Sequence, residues 1–255
     1  MDCYAYNSDM TPRLRLIPSA AADGPSNMAR DEALLETAAA RGLASLRFYT
    51  WTAPTLSLGY FQPAAAREAV PGLAGLPWVR RSTGGAAIVH HHELTYALAL
   101  PGGLQWASPE PWICRFHHLL RDVLAEFGVP SHAVVCGEEQ KRGEVLCFLH
   151  QTPGDLLVGG SKVAGSAQRK WKGAILQHGS ILLHRSEFAP ILPGINDHPG
   201  REVFGPESLA HLLEKRFAED TGWVVEPGAW TAEESARARV IRAEKYSHPE
   251  WNEKR

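Results

Sequence analysis

At 255 residues, with 44% hydrophobic and 21% charged side chains, the chain has the makeup of a folded protein with one sizeable core, which excludes extensive disorder. A formal net charge of -2 excludes a nucleic-acid binder working through bulk positive potential, so an acidic partner must be met by a local patch. The start, Met1-Asp-Cys-Tyr-Ala-Tyr6, has neither a basic segment nor an apolar signal core, and no stretch is long and apolar enough to span a membrane; a cytoplasmic protein is expected.

In chain order, Arg13–Ile17 predicts an extended strand. Asn27 is placed to cap a helix running to Arg41, with Gly42 as its stop and Met28, Leu34, Leu35 and Ala38 as its buried stripe. Leu46–Trp51 and Thr55–Leu58 are rich in β-branched and aromatic residues and are broken by Pro54, so two strands should meet at a corner. Gly59-Tyr-Phe-Gln62 follows directly. Next, Trp78–Arg81 predicts a strand that delivers two arginines to a Thr83-Gly84-Gly85 turn, with 86–89 returning as a further strand. Adjacent glycines let the backbone approach a ligand closely and aim amide donors at a phosphate or thioester oxygen. Of the three histidines that follow, His90 is the candidate and His91 and His92 are expected in solvent.

Glu93–Leu100 predicts another strand. Pro109–Phe127 carries apolar residues at three-four spacing and predicts a core-facing helix ended by Gly128, with His117 and His118 on its surface. His132–Cys136 is expected as a short strand and Glu138–Arg142 as a charged loop. Among the four cysteines no close pair suggests a zinc or redox site; Cys3, Cys114 and Cys136 are expected as structural thiols and Cys147 as a candidate nucleophile. Asp155–Val158, the Gly159-Gly160 turn and Ser161–Gly165 form a predicted hairpin that carries Lys162, and Ala174–Leu183 a further strand. A cation folded back toward Cys147 would favour its thiolate. Arg169–Lys172 is expected as a basic turn, 184–206 as a surface loop, Glu207–Asp220 as a helix, and Thr231-Ala-Glu-Glu234 as the capping box of a last helix.

These motifs together resemble the lipoate-protein ligase and octanoyltransferase superfamily. The likeness rests on Pro54-Thr-Leu-Ser-Leu-Gly-Tyr-Phe-Gln62, Arg80-Arg-Ser-Thr-Gly-Gly85, Gly160-Ser-Lys-Val-Ala-Gly-Ser-Ala-Gln168 and Leu176-Gln-His-Gly-Ser180. Ala86 and His91 depart from it, standing where relatives commonly have glycine or arginine, and aspartate. The resemblance implies an α+β fold, a mixed and largely antiparallel sheet flanked by helices as in biotin ligases and class II aminoacyl-tRNA synthetases, formed as one catalytic domain with the 207–255 helices packed on it. Cys147-Phe148 before the lysine motif is similar to one branch of cysteine-dependent octanoyltransferases; the other branch carries a Pro-Cys-Gly after it, where this chain has Leu192-Pro-Gly-Ile195. Implied with it are octanoyl-acyl carrier protein as donor and lipoyl domains, such as the glycine cleavage H protein or a dehydrogenase E2, as acceptors, with no cofactor. Cys147 and Lys162 are then catalytic. Arg81, Thr83, Gly84, Gly85, His90, Tyr60, Gly165 and Ser166 are expected to bind substrate, with Gln62 beside Tyr60 in the acyl wall. The rivals are a lipoate-protein ligase, which would need ATP and Mg, an amidotransferase acting between lipoyl domains, and a non-catalytic acyl-binding module.

Overall fold

The computed structural model describes residues 11–18, 20–104, 111–143, 145–198 and 204–255, so Cys3 and the first two residues of the expected 109–127 helix lie outside the described residues. In chain order the strands are β1 (Arg13–Ile17), β2 (Ala44–Tyr49), β3 (Thr55–Leu58), β4 (Trp78–Arg80), β5 (Ile88–His90), β6 (Glu93–Leu100), β7 (Ser131–Ala133), β8 (Gln140–Lys141), β9 (His150–Gln151), β10 (Leu156–Val158), β11 (Ser161–Trp171), β12 (Ala174–Leu182) and β13 (Val224–Pro227). The helices are α1 (Gly24–Arg41), α2 (Trp112–Glu126), α3 (Pro206–Thr221), α4 (Ala232–Ile241) and α5 (Pro249–Asn252). An eight-stranded sheet in the order β13-β1-β2-β6-β12-β11-β10-β7 forms the frame, parallel across β13, β1 and β2 and antiparallel beyond. A separate three-stranded sheet runs β4-β3-β5.

Strand β6 shows why helices cover both faces. Its Leu94, Tyr96, Leu98 and Leu100 point to the core shared with α2 and α3, while Ala97 and Ala99 point to the core shared with α1 and α4. Alternation sends successive side chains to opposite faces, and the small residues on the second face meet Ala29, Ala33 and Ala38 of α1, allowing that helix a close approach. On the first face Phe116, Leu119, Leu120 and Val123 of α2 are buried, each worth about 1.5–3 kcal/mol relative to exposure.

Several boundaries differ from the sequence reading. Asp23 caps α1, its Oδ1 accepting from the Ser26 amide at 2.8 Å, because Pro25 starts the helix earlier than Asn27. Asn27 is instead buried within the first turn, its Nδ2 donating to Ala22 O and Thr50 O. Strand β11 runs through Arg169 and Trp171, so the turn falls at Lys172-Gly173. The expected surface loop after β12 buries Ile195 and Phe204 in the core. The capping box at Thr231 and Glu234 forms with both reciprocal bonds.

The chain beyond α4 returns to the small sheet. Asn252 accepts from the Arg80 amide through Oδ1 and from Arg80 Nε through its carbonyl, both at 2.9 Å, and Trp251 Nε1 donates to Arg80 O. Residues far apart in sequence therefore finish one strand edge.

Candidate active site

Strand β3 lies between β4 and β5, parallel to one and antiparallel to the other. The chain must cross the end of β3 to pass from β4 to β5, so Thr83-Gly84-Gly85 is a crossover loop, where the sequence suggested a hairpin turn. The crossing is tight. A Cβ on Gly59, at the end of β3, would lie 1.7 Å from Gly85 O, and Gly85 itself has a φ of 91°. Arg81 fixes the loop from beneath: Nη1 donates to Ser57 O and Oγ at 2.8 and 2.7 Å, and Nη2 to the Gly84 and Ala86 carbonyls at 3.0 Å. Burial lowers its pKa, partly offset by the negative charge of Glu93. Gly59→Ala is expected to displace this loop and to cost about 1–3 kcal/mol in urea unfolding. Gly75→Ala, where a Cβ meets nothing within 4 Å, is the matched control and should change little.

The loop's far end positions the thiol. Ala87 N donates to Val145 O at 2.8 Å and Cys147 N donates to Ala87 O at 2.7 Å, so the segment carrying Cys147 is zipped to the start of β5. Gln62 clamps the same joint, accepting from Gly59 N and donating to Val145 O. From the opposite side comes Lys162 on β11. Its Nζ forms an ion pair with Asp155 Oδ2 at 2.7 Å, donates to His150 O at 3.1 Å and reaches Cys147 Sγ at 3.8 Å. Thr152 holds the carboxylate in turn, through its amide and hydroxyl. Gly165 makes room, since a Cβ there would lie 2.5 Å from Lys162 Cε. An ammonium whose other donors are occupied is thus held beside a half-buried sulfur.

Cys147 borders a cleft that opens to solvent, with Met28, Trp51 and Ile88 among its apolar lining. Of the residues expected to bind substrate, Arg81, Gly84, Gly85, His90, Gly165 and Ser166 line this cleft. Two do not. Thr83 is turned inward, its Oγ1 2.8 Å from His178 Nε2. Tyr60 lies on the outer side, its ring between Phe61 and Trp251 and beneath Lys254. Lys162 reaches the sulfur from a second groove, bordered by Phe148 and Ile191.

Two buried histidines, His90 and His178, line the cleft, and a third, His117, meets it through Ser166. His90 stacks on Trp51 at 3.8 Å, with Nε2 2.7 Å from Ser57 Oγ and Nδ1 2.6 Å from Glu93 Oε1. Burial lowers its pKa against the pull of Glu93, so the neutral ring is favoured. Burial pushes the Glu93 carboxyl up, but His90, Ser180 and Thr95 together outweigh it and leave the pKa lowered. Both His90 nitrogens are thus committed, and it presents no free base to the cleft. His91 and His92, expected in solvent, stack on each other at 3.6 Å, and His91 Nδ1 meets Ser186 Oγ.

His178 and His117 were missed as site residues. His178 joins Thr83 to Asp31, which also accepts from Arg47 and Tyr49. Its signal was present, since His178 stands in the Leu176–Ser180 motif and alternation on β12 turns it to the same face as Leu176, toward the α1 side. His117 is 1% exposed, and its Nε2 lies 2.7 Å from Ser166 Oγ, whereas the sequence placed it on the helix surface. The apolar periodicity of α2 did place positions 116, 119, 120 and 123 inward, and 117 adjoins that stripe; a polar partner on β11 was the part periodicity cannot show.

A family model described as the lipoyl protein ligase A/B catalytic domain matches residues 23–202. The chain is 32% identical over 274 residues to the octanoyltransferase LipM of Geobacillus kaustophilus, covering 94% of this chain and 98% of that one. It is 33% identical over 281 residues to the octanoyltransferase LipM of Symbiobacterium thermophilum, covering 95% and 99%. Among solved structures it matches lipoate-protein ligase A bound with ATP, with a TM-score of 0.73 at 20% identity over 96% of this chain and 99% of that one. A bi-partite lipoate protein ligase from Thermoplasma acidophilum, described with its E2 lipoyl domain, matches with a TM-score of 0.67 at 22% identity, 96% of each chain being covered. At such identities the solved structures speak to the fold alone.

Proposed function

The chain belongs to the lipoyl protein ligase A/B catalytic domain family and is an octanoyltransferase of lipoate biosynthesis, and from that premise we propose that it works through a thioester on Cys147. The observation that carries this reading is the 3.8 Å approach of Lys162 Nζ to Cys147 Sγ, with the lysine held by Asp155. In the first half-reaction the Cys147 thiolate attacks the acyl carbon of an octanoyl thioester, the carbon–sulfur bond to the donor breaks, and the donor leaves as a thiolate that takes a proton from water. In the second, a lysine amine of a lipoyl domain attacks the acyl-enzyme and Cys147 leaves. Exchange between thioesters is nearly balanced and amide formation is downhill, so no ATP or metal enters.

Lys162 and amide groups of the Gly84-Gly85 loop would stabilise the developing oxyanion, one such donor being worth about 3 kcal/mol. Arg81 and Gln62 act on the loop and on the segment before Cys147, and so position the donors. The apolar side at Met28, Trp51 and Ile88 would take the acyl chain. The donor is octanoyl-acyl carrier protein, and the acceptor a lipoyl domain of the glycine cleavage H protein or a dehydrogenase E2. The test is intact-mass measurement after mixing the protein with octanoyl-acyl carrier protein in the absence of ATP. An octanoyl adduct should appear, map to Cys147 and pass to an added lipoyl domain. Modification of the lipoyl domain only with free octanoate and ATP would replace this reading by adenylation.

A further inference from the structure

We propose that Ser166 and His117 form the proton relay of the second half-reaction, taking the proton of the acceptor amine as it attacks the acyl-enzyme; this rests on the Cys147 thioester just described. Ser166 Oγ lines the same cleft as Cys147 and lies 2.7 Å from His117 Nε2 and 2.6 Å from Tyr96 OH. The other ring nitrogen, Nδ1, meets Gly154 O. A carbonyl only accepts, so Nδ1 carries the hydrogen and, in the neutral ring, Nε2 offers a lone pair. The single Ser166 proton therefore points to His117, and Ser166 Oγ accepts from Tyr96 OH. Tyr96 accepts from Gln177 Nε2 at 2.6 Å, and Gln177 Oε1 accepts from Gln168 Nε2 at 2.8 Å. The chain of bonds has one direction, and it ends on a base.

The two other buried histidines at the cleft do not share this arrangement. His90 ends on Ser57, which is fully buried and already holds Arg81. His178 is tied at both nitrogens to Thr83 and Asp31. Only His117, among the three, is joined to a hydroxyl that lines the cleft. The groups acting on it are the Gly154 carbonyl and Asp155, which favour its cation, and burial, Lys162 and His118, which oppose it; burial dominates and lowers its pKa. The ring is thus held neutral and ready to accept.

The step balances as follows. The amine nitrogen bonds to the acyl carbon, its proton passes to Ser166 Oγ, and the Ser166 proton passes to His117 Nε2. The carbon–sulfur bond breaks, and Cys147 leaves as a thiolate beside the Lys162 ammonium. Once the amide has left, the imidazolium returns its proton along the same path to water in the cleft. Ser166 is the catalytic residue here; His117 acts through it.

Rapid-quench measurement of the two half-reactions tests this with the wild type, Ser166→Ala and His117→Gln, using octanoyl-acyl carrier protein and a lipoyl domain. Both variants should still form the octanoyl-enzyme, which also shows that they fold, and should lose about 10²-fold more in aminolysis than in acylation. The wild-type aminolysis profile should carry an inflection below the ordinary imidazole value of about 6.5, absent from His117→Gln. Equal losses in both half-reactions, an unchanged aminolysis rate, or an inflection that survives in His117→Gln would each overturn the relay. A wild-type protein that forms no adduct at all would instead remove the Cys147 reading on which the relay rests.

Discussion

Cys147→Ala is expected to lower octanoyl transfer to a lipoyl domain by about 10⁴-fold or more, because loss of a covalent nucleophile removes the two-step path and leaves only proximity and oxyanion stabilisation. The fold should be untouched. Cys147 sits in a short turn held by its amide bond to Ala87 O, and alanine keeps that bond. Thermal unfolding should therefore be close to wild type while mass spectrometry finds no adduct. Retention of transfer by Cys147→Ala, with donor thioester and without ATP, would mean that the amine attacks the donor directly and that the thiol is a bystander.

Lys162→Met is expected to act on stability and chemistry together. The Lys162 and Asp155 side chains are 3% and 5% exposed, so removing the ammonium leaves a carboxylate buried without its counter-charge. Breaking such a pair costs about 3–5 kcal/mol, which urea unfolding would read directly. The rate of Cys147 acylation should fall by about 10²–10³-fold, since one preorganised donor to the oxyanion and the cation beside the sulfur are lost together. Adding Asp155→Asn should recover part of the stability, as the uncompensated charge disappears, and none of the rate. Recovery of both would reduce Lys162 to a packing role.

Much of this molecule is legible in its residues alone, and the reason differs from element to element. Strand β6 is legible as an apolar run stopped by Pro101 and buried on both faces, and helix α2 because its burial follows a period of three to four that the side chains themselves carry. The hairpin bearing Lys162 is legible because Gly159 and Gly160 both adopt positive φ, which marks a tight turn. The Thr83-Gly84-Gly85 segment stands out in the sequence but with the wrong connection: β3, earlier in the chain, inserts between the two strands it joins, and local sequence holds no record of such insertion. Asp155 reads as a strand start and not as the partner of Lys162. Its pairing needs the Thr152 turn and the bulge between Leu156 and Leu157 to bring the carboxylate round. His117, His178 and Asp31 share the same character. Each is polar and is buried because a partner from another element satisfies it. Such pairings are properties of the assembled sheet.

The bond between Arg80 and Asn252 joins positions 172 apart in sequence. On a ribosome adding about 5–20 residues per second, Arg80 waits roughly 10–30 s for that partner to be synthesised. During that interval β4 has neither its amide acceptor nor the carbonyl that receives Arg80 Nε, and the crossover loop that continues from it is supported from one side only. A nascent chain holding both Cys147 and Lys162 would therefore lack a settled crossover loop until Asn252 has been added. The same timing makes the segment at Trp251 and Asn252 a sensitive place for change: a substitution that removes its contacts with the edge of β4 would appear first in the rate of maturation.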